Sequence, residues 1–221
     1  MEKHLDLMID FETCGLSANA APMSVACVPW LRDGEDSPFF NMNEVEPFEA
    51  KIDLRSCVVG GYEFDAETIC WWSRRDERAQ EALTEGYAEP LRDVVLNFLK
   101  WLHSTMQEAG ADTVCLWCQG MDVDIAMLRN ICKKNGLDLE LAIPHAYFRD
   151  CRTVILESAI REVSMYDGEV KVEDILKNPN KAYLVFKPLP MEIEKGFIAH
   201  DAKYDCLRSI WYTWQALNII D

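Results

Sequence analysis

Apolar runs of strand length open the chain, and amphipathic stretches of helical period fill most of the remainder. His4 to Phe11 predicts a first strand. Met23 to Leu31 predicts a second, bounded by Ala21-Pro22 before it and Arg32-Asp33-Gly34 after it. The weaker alternation of Glu49 to Leu54 predicts a third, and together they suggest an antiparallel meander. Asp65 to Glu85 reads as a helix, with Asp65 as N-cap and Ile69, Trp72 and Ala79 on related faces. Leu91 to Met106 is the clearest amphipathic helix. Leu91, Val94, Val95, Phe98, Leu99, Leu102 and Met106 form one stripe. Thr113 to Trp117 is a short apolar strand ending at the Gln119-Gly120 turn. Asp122 to Asn135 is a helix stopped by Gly136. Arg152 to Val163 and His200 to Leu217 are the last long helices, the latter with Leu207, Ile210, Trp211, Trp214 and Leu217 inward. Between them, about 164–196 carries Asp167-Gly168, Asn178-Pro179 and Lys187-Pro188-Leu189-Pro190. That stretch reads as a surface excursion with a short helix over Val172 to Lys177, either a connector or a loop flanking a substrate. Early strands followed by alternating strands and helices predict an α/β fold. It is a mixed sheet, antiparallel meander plus parallel strands, flanked by helices in one domain over 1–221.

Composition narrows the function classes. The chain has 221 residues, 49% hydrophobic, with 38 acidic and 22 basic side chains, hence a formal charge of −16. Such a surface repels bulk nucleic acid, which excludes a non-specific coat protein. It does not exclude an enzyme that grips one strand end through cations. The nine cysteines are an odd, scattered set. With no secretory signal and no apolar run long enough to span a bilayer, they imply a reduced, cytoplasmic setting and no membrane partner. Cys115 and Cys118 have CxxC spacing, but they lie in a strand-like run that faces them to opposite sides, with no second half of a zinc motif.

The candidate chemistry begins in the first strand. Asp10 and Glu12 are two apart, so a strand sets them on the same face beside buried hydrophobes. Adjacent carboxylates repel unless a cation lies between them, and hard oxygen donors suit Mg²⁺ or Mn²⁺. A strand end reaching solvent is the plainer alternative. Two later stretches bear on this pair: Asp124, after a glycine turn, and His200-Asp201-Ala202-Lys203-Tyr204-Asp205, which opens the last helix. If His200 lies just before that helix, it leans over the same opening as Asp205. Four acids and a histidine are what two-metal phosphodiester hydrolysis requires. The acids hold two cations, and the imidazole takes the proton of the attacking water. Alone, His200 would be a cap residue and Asp205 a solvated acid. His4, His103 and His145 have no such context and receive no role.

At these residues the chain resembles the DEDD exonucleases of the DnaQ-like, ribonuclease H-like superfamily, in the subtype with a histidine base. Asp10 and Glu12 match the first motif, Trp117-Cys118-Gln119-Gly120-Met121-Asp122-Val123-Asp124 the second, and His200, Ala202 and Asp205 the third. It is similar, more narrowly, to the exonuclease A proteins of tailed phages and a related bacterial exoribonuclease-like domain. That similarity rests on Trp71-Trp72, Arg149-Asp150-Cys151-Arg152-Thr153, Pro188-Leu189-Pro190 and Phe197-Ile198-Ala199-His200-Asp201. Val123 stands where the group often has Phe, and Asp122 adds a second acid. Register with the group makes Asp124 the ligand and Asp122 the helix N-cap. The resemblance implies 3′→5′ release of nucleoside monophosphates, with two Mg²⁺ or Mn²⁺ as cofactors and a nucleic-acid 3′ end as partner. DNA is the first expectation and RNA the alternative. It also implies that Phe11, Thr13, Cys14, Gly15 and Leu16 hold the terminal nucleotide, with Leu16 as a wedge under its base. Of the two tryptophans one belongs to the core, and Trp72 is a candidate for base stacking. Arg149 and Arg152 are candidate phosphate contacts or ordinary surface ion pairs. A non-catalytic binding module or a hydrolase of another phosphoester are the competing classes.

Overall fold

The computed structural model describes residues 3–39, 45–166, 168–195 and 200–218. Five strands, β1 (His4–Thr13), β2 (Pro22–Trp30), β3 (Phe48–Lys51), β4 (Thr113–Cys118) and β5 (Phe148–Asp150), form one sheet in the order β3-β2-β1-β4-β5. The first three run antiparallel, whereas β1, β4 and β5 run parallel. The helices are α1 (Leu54–Val59), α2 (Ala66–Trp72), α3 (Glu77–Thr84), α4 (Leu91–Ala109), α5 (Ala126–Lys134), α6 (Leu139–Ala142), α7 (Cys151–Met165), α8 (Val172–Lys177), α9 (Met191–Glu194) and α10 (Ala202–Asn218). The mixed sheet flanked by helices is the architecture the sequence predicts. Among the described residues no helix is long and apolar enough to cross a membrane.

The strand period divides β1 between two cores. Leu5, Leu7, Ile9 and Phe11 enter one cluster with Val94, Phe98 and Leu102 of α4 and Leu128 and Ile131 of α5. Met8 enters the other, with Ile155 of α7, Ile175 of α8 and Cys206 and Ile210 of α10. Asp6, Asp10 and Glu12 share the parity of Met8, so they stand on the α7–α10 face. The register of β1 against β2 shifts by one residue between Glu12 and Thr13, a bulge at the end of the strand.

Four local expectations change. The third strand ends at Lys51 and Leu54 opens a helix, because Asp53 caps it by accepting from the Arg55 N–H. The helix expected over Asp65 to Glu85 is two helices. Ser73 ends the first, and Asp76 caps the second by accepting from the Ala79 N–H. Asp122 is not an N-cap: it lies inside a π-helical turn, Met121–Ile125, that follows Gly120 and has no side-chain cap. The short strand β5 was not foreseen, since Phe148–Asp150 is too brief for any alternation to register. Within the 164–196 stretch, the described segment over 172–186 folds back on α7, with Ile175, Ala182 and Phe186 buried in the second core. Phe197, Ile198 and Ala199 lie outside the described residues.

Candidate active site

Three elements converge at the end of β1. Asp10 and Glu12 come from β1 itself. Asp124 comes from the π-helical turn that follows β4, where its backbone N–H bonds the Gly120 carbonyl at 3.1 Å. Gly120 has φ 147°, a conformation that suits glycine and lets the turn start directly from the strand. Asp205 comes from the first turn of α10, which Asp201 caps by accepting from the Tyr204 N–H at 3.0 Å. The neighbouring Cys206 thiol reaches the carbonyls of Met8 and Ala26, so α10 is seated directly on β1 and β2. His200 precedes the helix at φ 62°, a left-handed conformation that turns the chain before α10 begins. Ligating atoms of Glu12, His200 and Asp205 all lie within 4.8 Å of one another.

The electrostatics are those of acids crowded together without a cation. Burial, then Asp124, Glu12, Asp205 and Asp201, holds the Asp10 carboxyl well above the usual carboxylate range. Burial, with Asp205, Asp201 and Asp124 adding to it, pushes Glu12 up to about 8. Burial raises Asp124 to about 7, even though the Phe11 N–H and the Arg152 charge pull the other way. Burial also raises Asp205, with Arg208 and His200 opposing it. A divalent cation fits this donor set of carboxylate oxygens and one imidazole.

Beside the acids opens a groove of about 900 Å³ whose walls include Phe11, Thr13, Gly15, Leu16 and Trp72. Leu16 projects at its rim, 76% exposed despite being apolar. Trp72 is buried and docks α2 on the end of β1 by donating from Nε1 to the Thr13 carbonyl at 2.9 Å. Trp71 is the half-exposed partner, and both indoles set their faces edge-on to the His200 ring, at 4.7 and 5.7 Å between centroids. Gly15 is needed for a close approach: a Cβ there would lie 3.2 Å from that of Ala20 and 3.3 Å from that of Asp65. Cys14 is buried beneath the groove, its N–H bonded to Ala21 and its carbonyl to Asp65. It shapes the turn from behind.

The two sequence-singled arginines part company. Arg149 gives its guanidinium to the main-chain carbonyls of Ala146 and Phe148. Arg152 stays exposed beside Asp124, in the first turn of α7.

A family model described as the 3′-5′ exoribonuclease Rv2179c-like domain matches residues 5–180. The chain belongs to this family. It is a DnaQ-like 3′→5′ exonuclease. The exodeoxyribonuclease of Enterobacteria phage T4 is 24% identical over 218 residues, covering 96% of this chain and 89% of that protein. Among solved structures, E. coli exonuclease I in complex with a dT13 oligonucleotide aligns over 96% of this chain and 40% of that one, at 16% identity and a TM-score of 0.56. Its complex with a dA16 oligonucleotide aligns over 99% and 41%, at 18% identity and a TM-score of 0.52. The chain thus spans about two fifths of exonuclease I, and at these identities the likeness speaks for the shared fold.

The family match ends before His200 and Asp205, so it is the geometry that joins them to Glu12. Sequence reasoning passed over Asp201, Tyr183 and Arg208, which also face the acids or their neighbours. Arg208 carried a usable signal: it lies three residues after Asp205 on one helix, hence on the same side.

Proposed function

We propose that the chain removes nucleoside 5′-monophosphates one at a time from the 3′ end of a DNA strand, all of residues 1–221 acting as one exonuclease domain. The observation that carries this is the gathering of Asp10, Glu12, Asp124 and Asp205 with His200, beside a groove with volume enough for a nucleoside. The four carboxylates would hold two Mg²⁺ or Mn²⁺ ions. When bound, such ions supply the positive charge that acidifies a water and stabilises the departing 3′ oxygen. The groove receives the terminal nucleoside, with Leu16 against its base and the Phe11 and Trp72 rings walling it in. His200, as neutral imidazole, accepts the proton of the water that attacks phosphorus. The P–O3′ bond then breaks, leaving a shortened strand with a free 3′-hydroxyl and a released 5′-monophosphate. Trp71 and Trp72 restrict the imidazole to the side of Glu12 and Asp205.

The description of the matching family favours RNA as a second reading. The T4 relative's name and the exonuclease I complexes favour DNA. Matched single strands of DNA and RNA, labelled at either end and incubated with Mg²⁺ or Mn²⁺, separate the two. A ladder descending from the 3′ end of DNA, with monophosphates as product, is expected. A ladder from RNA alone would transfer the activity to the second reading, and metal binding without turnover would leave a binding module.

A further inference from the structure

The folded-back stretch after α7 meets the turn before Asp124. The Gln119 amide donates to the Tyr183 hydroxyl at 2.7 Å. Both line a pocket of about 310 Å³ with Arg152, Asn180 and Ile155. The Arg208 guanidinium lies over the Tyr183 ring, 4.7 Å from its centroid. Arg152 stands against the glycine turn: a Cβ on Gly120 would lie 3.9 and 4.0 Å from its two terminal nitrogens. Neither arginine makes an ion pair within 4 Å among the described residues. In Arg152 the cation also occupies the first turn of α7, where the helix dipole disfavours it. On a chain of net charge −16, two guanidiniums without an ion pair, both close enough to act on Tyr183, call for an anion.

Their position relative to the acids says which anion. Asp124 has the Phe11 N–H as one neighbour and Arg152 as another. Asp205 has His200 and Arg208. Phe11 belongs to the nucleoside groove, and that groove shares no lining residue with the pocket at Tyr183. A strand whose last nucleoside fills the groove, and whose scissile phosphate lies on the acids, continues past them towards the arginines.

Resting on the exonuclease reading above, we propose that Arg152, Arg208 and Tyr183 form a subsite for the phosphate on the 5′ side of the scissile one. The enzyme then recognises its substrate by two successive phosphates. The arginines supply charge-assisted hydrogen bonds. The Tyr183 hydroxyl accepts from Gln119 and keeps its own proton to donate. Gln119 is a positioning residue, holding that hydroxyl in place.

The test uses the thymidine trimer TpTpT (or its ribo-counterpart, if RNA is the preferred strand) and the same trimer with a neutral methylphosphonate at its 5′ linkage. The scissile 3′ linkage is identical in both. For the unaltered enzyme, kcat/KM should fall on the order of 10–100-fold with the neutral linkage. Arg208→Ala should lose a similar factor on the all-phosphate trimer and little more on the methylphosphonate, because the two changes remove one interaction. Tyr183→Phe keeps the ring beneath Arg208 and should show the same pattern at smaller amplitude. Equal cleavage of both trimers by the unaltered enzyme overturns the subsite and leaves the exonuclease standing. So do losses from variant and linkage that simply multiply, which would mark Arg208 as structural. Failure to cut either trimer removes the exonuclease reading, and the subsite falls with it.

Discussion

Asp6 and Asp10 lie four residues apart on one strand, on the same face, and their surroundings are opposite. The Asp6 carboxylate is fully used by the protein. It accepts from Arg32 Nη2 at 2.6 Å and Nε at 3.2 Å, and from Trp117 Nε1 at 2.6 Å. Arg32 is itself stacked over the Trp117 ring. Among the described residues no donor bonds the carboxylate of Asp10, and its near neighbours are other acids. A buried charge needs a partner. At Asp6 the chain supplies one and obtains a pin between β1, β4 and the segment after β2. At Asp10 the chain withholds one, and the crowding of acids there would suit the divalent cations of the proposed reading. The same strand thus carries an acid that the fold pairs and, on the proposed reading, one that serves the reaction, told apart by the partner and not by the residue type.

The largest effect that sharpens this contrast is on activity. Asp10→Asn should bring exonuclease turnover to background while raising the Tm of the metal-free protein, since a neutral amide escapes the cost of ionising among buried acids. Asp6→Ala should do the reverse, lowering Tm by roughly 4–8 °C for the lost charged hydrogen bonds and leaving the cleavage chemistry intact in the folded fraction. Matching signs for the two variants would break the comparison.

His200→Ala comes next. Its kcat should fall by about 10²–10⁴-fold, while Mn²⁺ still raises the melting temperature. Loss of that metal response would make His200 a ligand instead of the base.

The pH dependence follows in size. The folded-state values of Glu12, about 8, and Asp124, about 7, lie above their ordinary values of 4.5 and 3.8. The folded protein therefore binds more protons than the unfolded chain across that interval. The stability these groups contribute is complete below the ordinary values and is lost as pH rises through about 7–8. Metal-free protein should melt higher at pH 5 than at pH 8 in scanning fluorimetry, and Mn²⁺ should flatten the difference. A profile rising with pH in the metal-free state would contradict the crowding of acids.

The smallest effect belongs to Trp72→Phe. It removes the bond to the Thr13 carbonyl and should cost about 1 kcal/mol in stability, with a modest rise in KM as the groove wall loosens.

Much of this arrangement was legible before any coordinates. The period of β1 announced that Asp10 and Glu12 share a face, and the stripe of α4 announced the core beneath them. Asp124, His200 and Asp205 were legible only through resemblance, because nothing in local periodicity links residues so far apart. Other features were beyond a local reading. The break between α2 and α3 depends on Asp76 capping a second helix inside a stretch that stays polar and amphipathic throughout. The π-helical turn hides in a segment whose composition suits an ordinary helix start. The alliance of Gln119 with Tyr183 joins segments 64 residues apart, which only the folded chain brings together.

Calorimetric titration of Mn²⁺ into EDTA-stripped protein at pH 7, repeated in buffers of different ionisation enthalpy, asks the central question directly. If the buried acids hold protons in place of cations, Mn²⁺ should bind saturably with release of protons to the buffer, and Asp10→Asn should abolish or sharply weaken that uptake. Absence of binding, or uptake with no proton released and no dependence on Asp10, would contradict it.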